Sequence, residues 1–268
     1  MNAWPSLFVS HGAPTFATEP GVAGAQLRAL GQALGKPSAV VIVSPHWMTR
    51  ELEITASANP QTVHDFGGFP RHLYALQYPA PGSPTLAARI QHALASQGVS
   101  ARLNMQRGLD HGAWVPLMHL YPQADVPVIQ VSMPFDADEV KAYELGRALA
   151  PLAQEDILIV GSGSLTHNLY EFQPEEQRVA PYAQAFSQWV RQAVVSGDLE
   201  SLLNALKRAP HAARAHPTTE HFLPLLVAAG ASHSLDLSTV LDGGILHGVI
   251  AMESYLMGQD LQLSTAAA

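Results

Sequence analysis

Ala39-Val40-Val41-Ile42-Val43-Ser44, followed at once by Pro45 and His46, is the stretch on which the fold turns. Its apolar residues run on without alternation, the pattern of a strand covered on both faces, as in a sheet with helices on either side. Three more runs match it: Ser6–Ser10 (SLFVS), Pro127–Ser132 (PVIQVS) and Ile157–Val160 (ILIV). Between them the spacing turns helical. Ala23, Leu27, Leu30 and Leu34 recur at helical steps before Gly35 stops the pattern, and Leu86, Ile90 and Ala93 do the same before Gly98. Further helices are expected over Asp136–Leu152, Glu175–Val195, Asp198–Leu206 and Pro217–Ala229, and a strand over Leu246–Tyr255. Strands alternating with helices predict an α/β fold, a single-domain sandwich with a central, mostly parallel sheet flanked by helices. One domain over residues 1–268 is expected, because no linker or repeat divides the chain and the only low-complexity tract is Ala266–Ala268. The stretch Ser57–Ser83, with four prolines and three glycines, is too long to be an idle connection and is expected to serve the site or act as a lid.

Composition narrows the function. Lys and Arg total 14 against 22 Asp and Glu, a net charge of −8 with no basic block, which argues against a nucleic-acid partner. The absence of cysteine removes thiolate nucleophiles, iron–sulfur clusters and Cys-based zinc sites, so any metal must be held by nitrogen and oxygen. No apolar run approaches the ~18 residues of a membrane span. The opening MNAWPSLFVSHGAP has no basic leader, so a soluble cytoplasmic protein with no membrane partner is expected. What stands in surplus is histidine, at 13 copies.

Three of the four apolar runs lead into a histidine: His11, His46 and His167. In open α/β sheets the binding crevice lies beyond the carboxyl ends of the strands, so these imidazoles are expected to converge there as metal ligands. Gly12 and Ala13 leave room beside His11. Pro217 suits the first position of a helix, which would put His216 at its cap and His221 inside it. Five residues place the two about 140° apart on a helix, so at most one reaches the metal, and His221 is preferred as the more firmly held. Glu220 is either a carboxylate ligand or an acid favoured by the helix dipole. His111, between Asp110 and Gly112, is a further site candidate. His64 sits in the long loop within reach of a substrate, whereas His72, His92, His119, His211, His233 and His247 have no comparable placement. Other signals fail. Gly161-Ser162-Gly163-Ser164 lacks the third glycine of a dinucleotide loop, which would fall at Thr166, no G-x-S-x-G elbow is present, and no lysine follows the glycines as in a P-loop. The remaining role for this loop is to deliver His167 into the crevice.

Ser10-His11-Gly12-Ala13-Pro14, Ser44-Pro45-His46-Trp47, Asp110 through Leu117, Gly161 through Leu169, and His216-Pro217 through Pro224 together resemble the DODA-type extradiol aromatic ring-opening dioxygenases. That group is related to the catalytic subunit of protocatechuate 4,5-dioxygenase. The motifs stand in family order over nearly the whole chain, and the loop from His64 to Pro70 with Tyr78 through Gly82 is also similar. The resemblance implies one divalent metal per chain held by His11, His46 and His221. It implies that His167 is the acid/base histidine or a fourth ligand, that His111 hydrogen-bonds dioxygen or substrate, and that Ser10, Pro14, His64 and Phe66 contact the substrate. Where the protocatechuate branch has a glutamate ligand, the matching position here is His221, an all-histidine set in place of two histidines and a carboxylate. Fe(II) is the metal expected for ring cleavage of a small catechol with O2, and Zn(II) is its competitor. Zinc in the same ligands would instead activate water for hydrolysis, and a noncatalytic metal-binding protein is the third reading. A homo-oligomer is left open.

Overall fold

In the computed structural model, which describes residues 3–176 and 178–263, the chain begins β1 (Ser6–Ser10), α1 (Gly21–Leu34), β2 (Ala39–Thr49), β3 (Leu52–Thr55), α2 (Pro84–Ser96) and β4 (Ala101–Asn104). It continues α3 (His111–Leu120), β5 (Val128–Pro134), α4 (Glu139–Leu149), β6 (Ile157–Gly163), α5 (Pro181–Val195), α6 (Leu199–Leu203), α7 (Ala205–Arg208) and α8 (Ala212–Ala215). Last come α9 (Leu223–Ala231), β7 (Ser238–Leu241), β8 (Ile245–Leu246), β9 (Ile250–Ala251) and β10 (Ser254–Met257). The tract Ala266–Ala268 lies outside the described residues.

The four continuous apolar runs become the inner strands of an eight-stranded sheet ordered β4-β3-β5-β2-β6-β1-β10-β7. Four of its seven pairings are parallel, β5 with β2, β2 with β6, β6 with β1 and β3 with β4, while β3 with β5, β1 with β10 and β10 with β7 run antiparallel. The sheet is thus mostly parallel, as expected, with antiparallel joins toward both edges. Alternation along β6 shows how its faces are covered. Gly161 and Gly163 turn toward the start of α9, where a Cβ would meet Pro224 O and His221 O, while Ser162, pointing the other way, hydrogen-bonds Gly112 O of α3. The helices α3 and α9 therefore pack on opposite faces, and the inner strands are buried on both.

Several expected boundaries are corrected. Rather than ending at Ser44, β2 continues to Thr49 through an irregularity between Val43 and Met48, and His46 lies in that irregular part. The helix expected from Asp136 starts at Glu139, because the Asp138 carboxylate caps it by accepting from Lys141 N, and it gives way to a 3₁₀ turn over Ala150–Glu155 that contains Pro151. The helix expected from Glu175 starts at Pro181, since the ring holds Ala180 extended at φ −68° and ψ 126°. Asp198–Leu206 is broken at Asn204, whose side-chain amide donates to Glu200 O at 2.8 Å. Pro217–Ala229 is not one helix: residues 216–222 are irregular, and Pro224 rather than Pro217 occupies the first turn of α9. Leu246–Tyr255 is not one strand but a small β8–β9 hairpin turning at His247 and Gly248, both at positive φ, followed by β10. Among the described residues no helix is long and apolar enough to cross a membrane.

The outer layer on the α9 face depends on a pair of glycines. A Cβ on Gly146 of α4 would lie 2.0 Å from Val227 O, and one on Gly230 of α9 would lie 2.1 Å from Tyr143 O, so each helix backbone fills the space the other leaves. Gly230→Ala is expected to cost about 1–3 kcal/mol through overpacking, read as a lower urea midpoint with unchanged slope. An unchanged midpoint would show that the helices can part at no cost.

Candidate metal centre

Imidazoles from five separate segments meet at one end of the sheet. His11 follows β1, His46 lies in the irregular part of β2, His111 opens α3 and His221 precedes α9. Ligand atoms of His11, His46 and His221 lie within 4.8 Å of one another, and the Nε2 atoms of His11 and His46 are 3.1 Å apart. His111 packs on His46 with ring centroids 4.0 Å apart, and His167, four residues past the end of β6, stacks on His221 at 3.5 Å and 12°. The convergence expected from the strand ends is what the chain builds.

The partners of these rings assign their protons. The Ser162 hydroxyl donates to the Gly112 carbonyl, so toward His11 Nδ1, 3.0 Å away, its oxygen can only accept. His11 therefore carries its proton on Nδ1 and keeps a bare Nε2. Glu220 Oε1 accepts from His221 Nδ1 at 2.9 Å, and His221 Nε2 is buried with no partner in the protein. Asp65 Oδ2, 3.7 Å from His46 Nδ1, biases that ring the same way. The Nε2 lone pairs of His11 and His221 thus face one region beside His46 Nε2, a donor set that a divalent cation takes from neutral imidazole. Burial first, and then crowding by the other imidazoles, holds His11 and His221 well below their ordinary 6.5. His46 falls to about 3 for the same reasons, burial ahead of His111, with Asp65 opposing.

Asp65 is the acid behind the site. Its Oδ1 accepts from His111 N at 2.9 Å, and its Oδ2 lies 3.0 Å from His111 Nδ1, close but out of line for a hydrogen bond. Burial opposes its charge, yet these contacts with His111 and the nearby His46 hold its carboxyl at about 2. The sequence neighbour Asp110 does not touch the His111 ring. It caps α3, accepting from Ala113 N at 3.1 Å, and pairs with Gln130. Nor does Gly112 admit a ligand to the backbone: a Cβ there would lie 2.3 Å from Ser44 Oγ and 2.9 Å from His46 Cδ2, so the missing side chain makes room for the His46 ring.

The lone pairs open onto a cavity of about 380 Å³ lined by the five imidazoles together with Gly12, Ala13, Pro14, Phe66, Phe69, Leu169, Phe172 and Ile250. Of the residues expected to touch substrate, Pro14 and Phe66 line it. Ser10 does not, since its hydroxyl is spent within the fold, donating to Glu253 O at 2.7 Å and accepting from Leu165 N at 3.3 Å. His64 stands behind Phe66, bonded to Leu76 O at 3.0 Å. His216 points away to Leu165 O at 2.9 Å, as the choice of His221 required, although neither sits on a helix. Glu220 is a partner of His221 rather than a helix acid, because no helix runs there. Ser162 and Asp65 were not foreseen, and Gly161-Ser162-Gly163, read as a loop delivering His167, is the last part of β6. Its two glycines admit the chain that carries His221.

A mostly parallel sheet whose strand ends gather histidines below an apolar pocket defines a class, and residues 25–241 match the family described as the catalytic LigB subunit of aromatic ring-opening dioxygenase. The chain belongs to that family and is an extradiol ring-cleaving dioxygenase. It is 42% identical over 253 residues to the 4,5-DOPA dioxygenase extradiol of Beta vulgaris, covering 91% of this chain and 94% of that one. Toward the protein of the same name from Escherichia coli K12 it is 38% identical, covering 95% and 94%. A crystal structure of an uncharacterised E. coli K12 protein superimposes with a TM-score of 0.78 at 32% identity, covering 95% of this chain and all of the other.

Two outcomes are expected. Ser162→Ala frees the His11 ring to flip or change tautomer and should weaken binding of added Fe(II) or Zn(II) by about 10–100-fold in a calorimetric titration; unchanged affinity would contradict the proton assignment. His216 is fully buried, and burial depresses it from 6.5 to about 4. Its contribution to stability is complete above pH 6.5 and is lost as pH falls toward 4, so the metal-free protein should lose roughly 2 kcal/mol from this group between pH 7 and 5. His216→Gln keeps the donor to Leu165 O without the titration, and a Gln variant whose urea midpoint falls as steeply as the parent's would contradict this.

Proposed function

We propose that the whole chain is one catalytic domain that binds a single divalent metal through His11, His46 and His221 and uses it to open the ring of a catechol with O2. The observation that carries this reading is the meeting of His11, His46 and His221, whose ligand atoms lie within 4.8 Å of one another at the floor of an apolar cavity, with Ser162 and Glu220 holding the protons of His11 and His221 outward. When bound, Fe(II) supplies the one-electron reactivity that lets triplet dioxygen attack a closed-shell catechol, which zinc with its filled d shell does not.

The chain's own residues have separable tasks. His167 lines the cavity and its ring is held flat on His221, so it can take a catechol proton and return it later. Burial lowers His167, with Glu220 opposing and His111 adding to the fall, which keeps it an acceptor at neutral pH. His111, fixed by Asp65 through its backbone and ring contacts, offers a hydrogen bond from across the cavity. Phe66, Phe69 and Phe172 exclude water and provide flat surfaces for an aromatic ring. The DOPA-type names of the relatives support a substituted catechol as substrate.

His167→Phe is expected to keep its metal while ring cleavage, followed by oxygen uptake and the yellow semialdehyde, slows by about 10²–10⁴-fold. His11→Ala should lose the metal itself by elemental analysis. Full occupancy in His11→Ala would remove that ligand from the set. Iron-loaded protein that consumes no oxygen with any catechol, while zinc-loaded protein hydrolyses an ester, would replace this reading with the hydrolytic one.

A further inference from the structure

We propose that Arg107 is a positioning residue of the metal centre, holding His46 in place by donating to its backbone carbonyl from a guanidinium anchored beside the buried Asp110. The inference rests on the reading of His46 as a ligand and adds to it what fixes that ligand.

The three rings are not held alike. His11 and His221 each give their Nδ1 proton to a partner within 3.0 Å, whereas His46 Nδ1 stands 3.7 Å from Asp65, beyond hydrogen-bond reach. The His46 ring is packed against His111 and Gly112, and its place depends on where the backbone carries it. There the strand ladder is interrupted. Pairing of β2 with β6 ends at Val43, and pairing with β5 skips from Val43 to Met48, so residues 44–47 stand outside the paired register. Side chains meet the groups the ladder leaves: Ser44 Oγ accepts from His46 N at 3.3 Å, and Arg107 Nη2 donates to His46 O at 3.2 Å. Arg107, 61 residues away, is the side chain that reaches this backbone from another segment. Its guanidinium carbon also lies 5.5 Å from the centre of the Trp47 ring, on the next residue along. The far side of Arg107 is itself fixed. Its backbone N donates to Asn104 Oδ1 at 2.8 Å at the close of β4, and Nη2 lies 3.5 Å from Asp110 Oδ2, a carboxylate with no exposed surface that needs a cation nearby. Asp110 in turn caps α3, whose first residue is His111, and the His111 and His46 ring centroids are 4.0 Å apart. One guanidinium thus ties a ligand to the helix start that carries the ring beside it.

The test uses the full-length chain with Zn(II) alone as probe, its Kd measured by chelator competition without denaturant, so that a loss of stability does not enter the readout. Arg107→Met should weaken Zn(II) binding by about 10–100-fold. Arg107→Lys, whose ammonium can meet both oxygens, should bring it back to within about threefold of the parent. Gly230→Ala, which loosens the fold away from the site, should bind Zn(II) as the parent does. Because Arg107→Met leaves Asp110 buried without its cation, the variant Arg107→Met/Asp110→Asn, which removes the pair, takes its place if it does not fold, and the same weakening is expected of it. Parent-like affinity in whichever of these two folds would overturn the inference and leave Arg107 a structural role only. Equal weakening in Gly230→Ala, or no recovery with Lys, would do the same. His46→Ala separates this from failure of the ligand reading. Weak binding there beside parent-like binding in the Arg107 variants removes the inference alone, whereas parent-like binding in His46→Ala removes His46 from the ligand set and the inference with it.

Discussion

Where three imidazoles keep their protons governs everything at the end of this sheet. Each neutral ring has one N–H and one lone pair; Ser162 and Glu220 accept the N–H of His11 and His221, and the Asp65 carboxylate lies near His46 Nδ1, which favours lone pairs turned inward. In a low-dielectric interior such an arrangement is repulsive by itself, and burial and crowding hold His11 and His221 far below their ordinary range, so a proton relieves it poorly. A dication shared by the three rings would convert the repulsion into attraction. The charge balance fits as well, since a carboxylate stands one hydrogen bond behind His221 and another beside His46 and His111, where both would oppose a double positive charge.

The sheet serves that arrangement through the sparseness of β6. This strand lies between β2 and β1, the two strands that bring in His46 and His11, and it ends in Gly161-Ser162-Gly163. On one face the two glycines let the backbone at His221 and Pro224 settle directly onto the strand, and on the other the serine hydroxyl ties α3 to the His11 ring. Glycine in a strand interior costs stability relative to a larger residue. Here no larger residue fits, because the segment that carries His221 and Pro224 occupies the volume its side chain would need.

The inner strands were legible because strands covered on both faces must be apolar throughout, and their ends were legible because small residues and a histidine followed. The edges were not. A strand such as Ala101-Arg102-Leu103-Asn104 has no continuous pattern of its own and becomes a strand only by pairing with β3. His221 was preferred to His216 as lying in a helix that does not exist. Pro217 and Pro224 both satisfy the rule for a helix start, and packing of the intervening chain against Gly163, which local sequence does not encode, decides for the second. The acceptors that orient the rings were the least visible of all. Ser162 and His11 are 151 residues apart, and Asp65 reaches an α3 residue 46 positions away, so neither pairing leaves a trace in spacing.

The long proline-rich stretch between Ser57 and Ser83 joins the two halves of the site. Within it, Asp65 and Phe66 are consecutive, one bracing His111 and flanking His46, the other forming cavity wall. A loose lid could not hold both. This segment is fastened along its length: Val63 O accepts from Trp114 Nε1 at 2.9 Å, His64 bonds Leu76 O, Thr62 Oγ1 accepts from Tyr78 N at 2.9 Å, and the Tyr78 hydroxyl donates to Tyr121 O at 3.0 Å. Phe66 is further set among His64, Tyr74 and Trp114. Because adjacent residues of one anchored segment set both the basicity at the floor and the shape of the wall, a change that moves Phe66 to admit a different substituent also moves Asp65. The shape of the cavity wall and the electrostatics of the imidazole floor are therefore coupled through a single peptide unit, and altering the first without disturbing the second requires changes at lining residues outside this segment, such as Leu169 or Phe172.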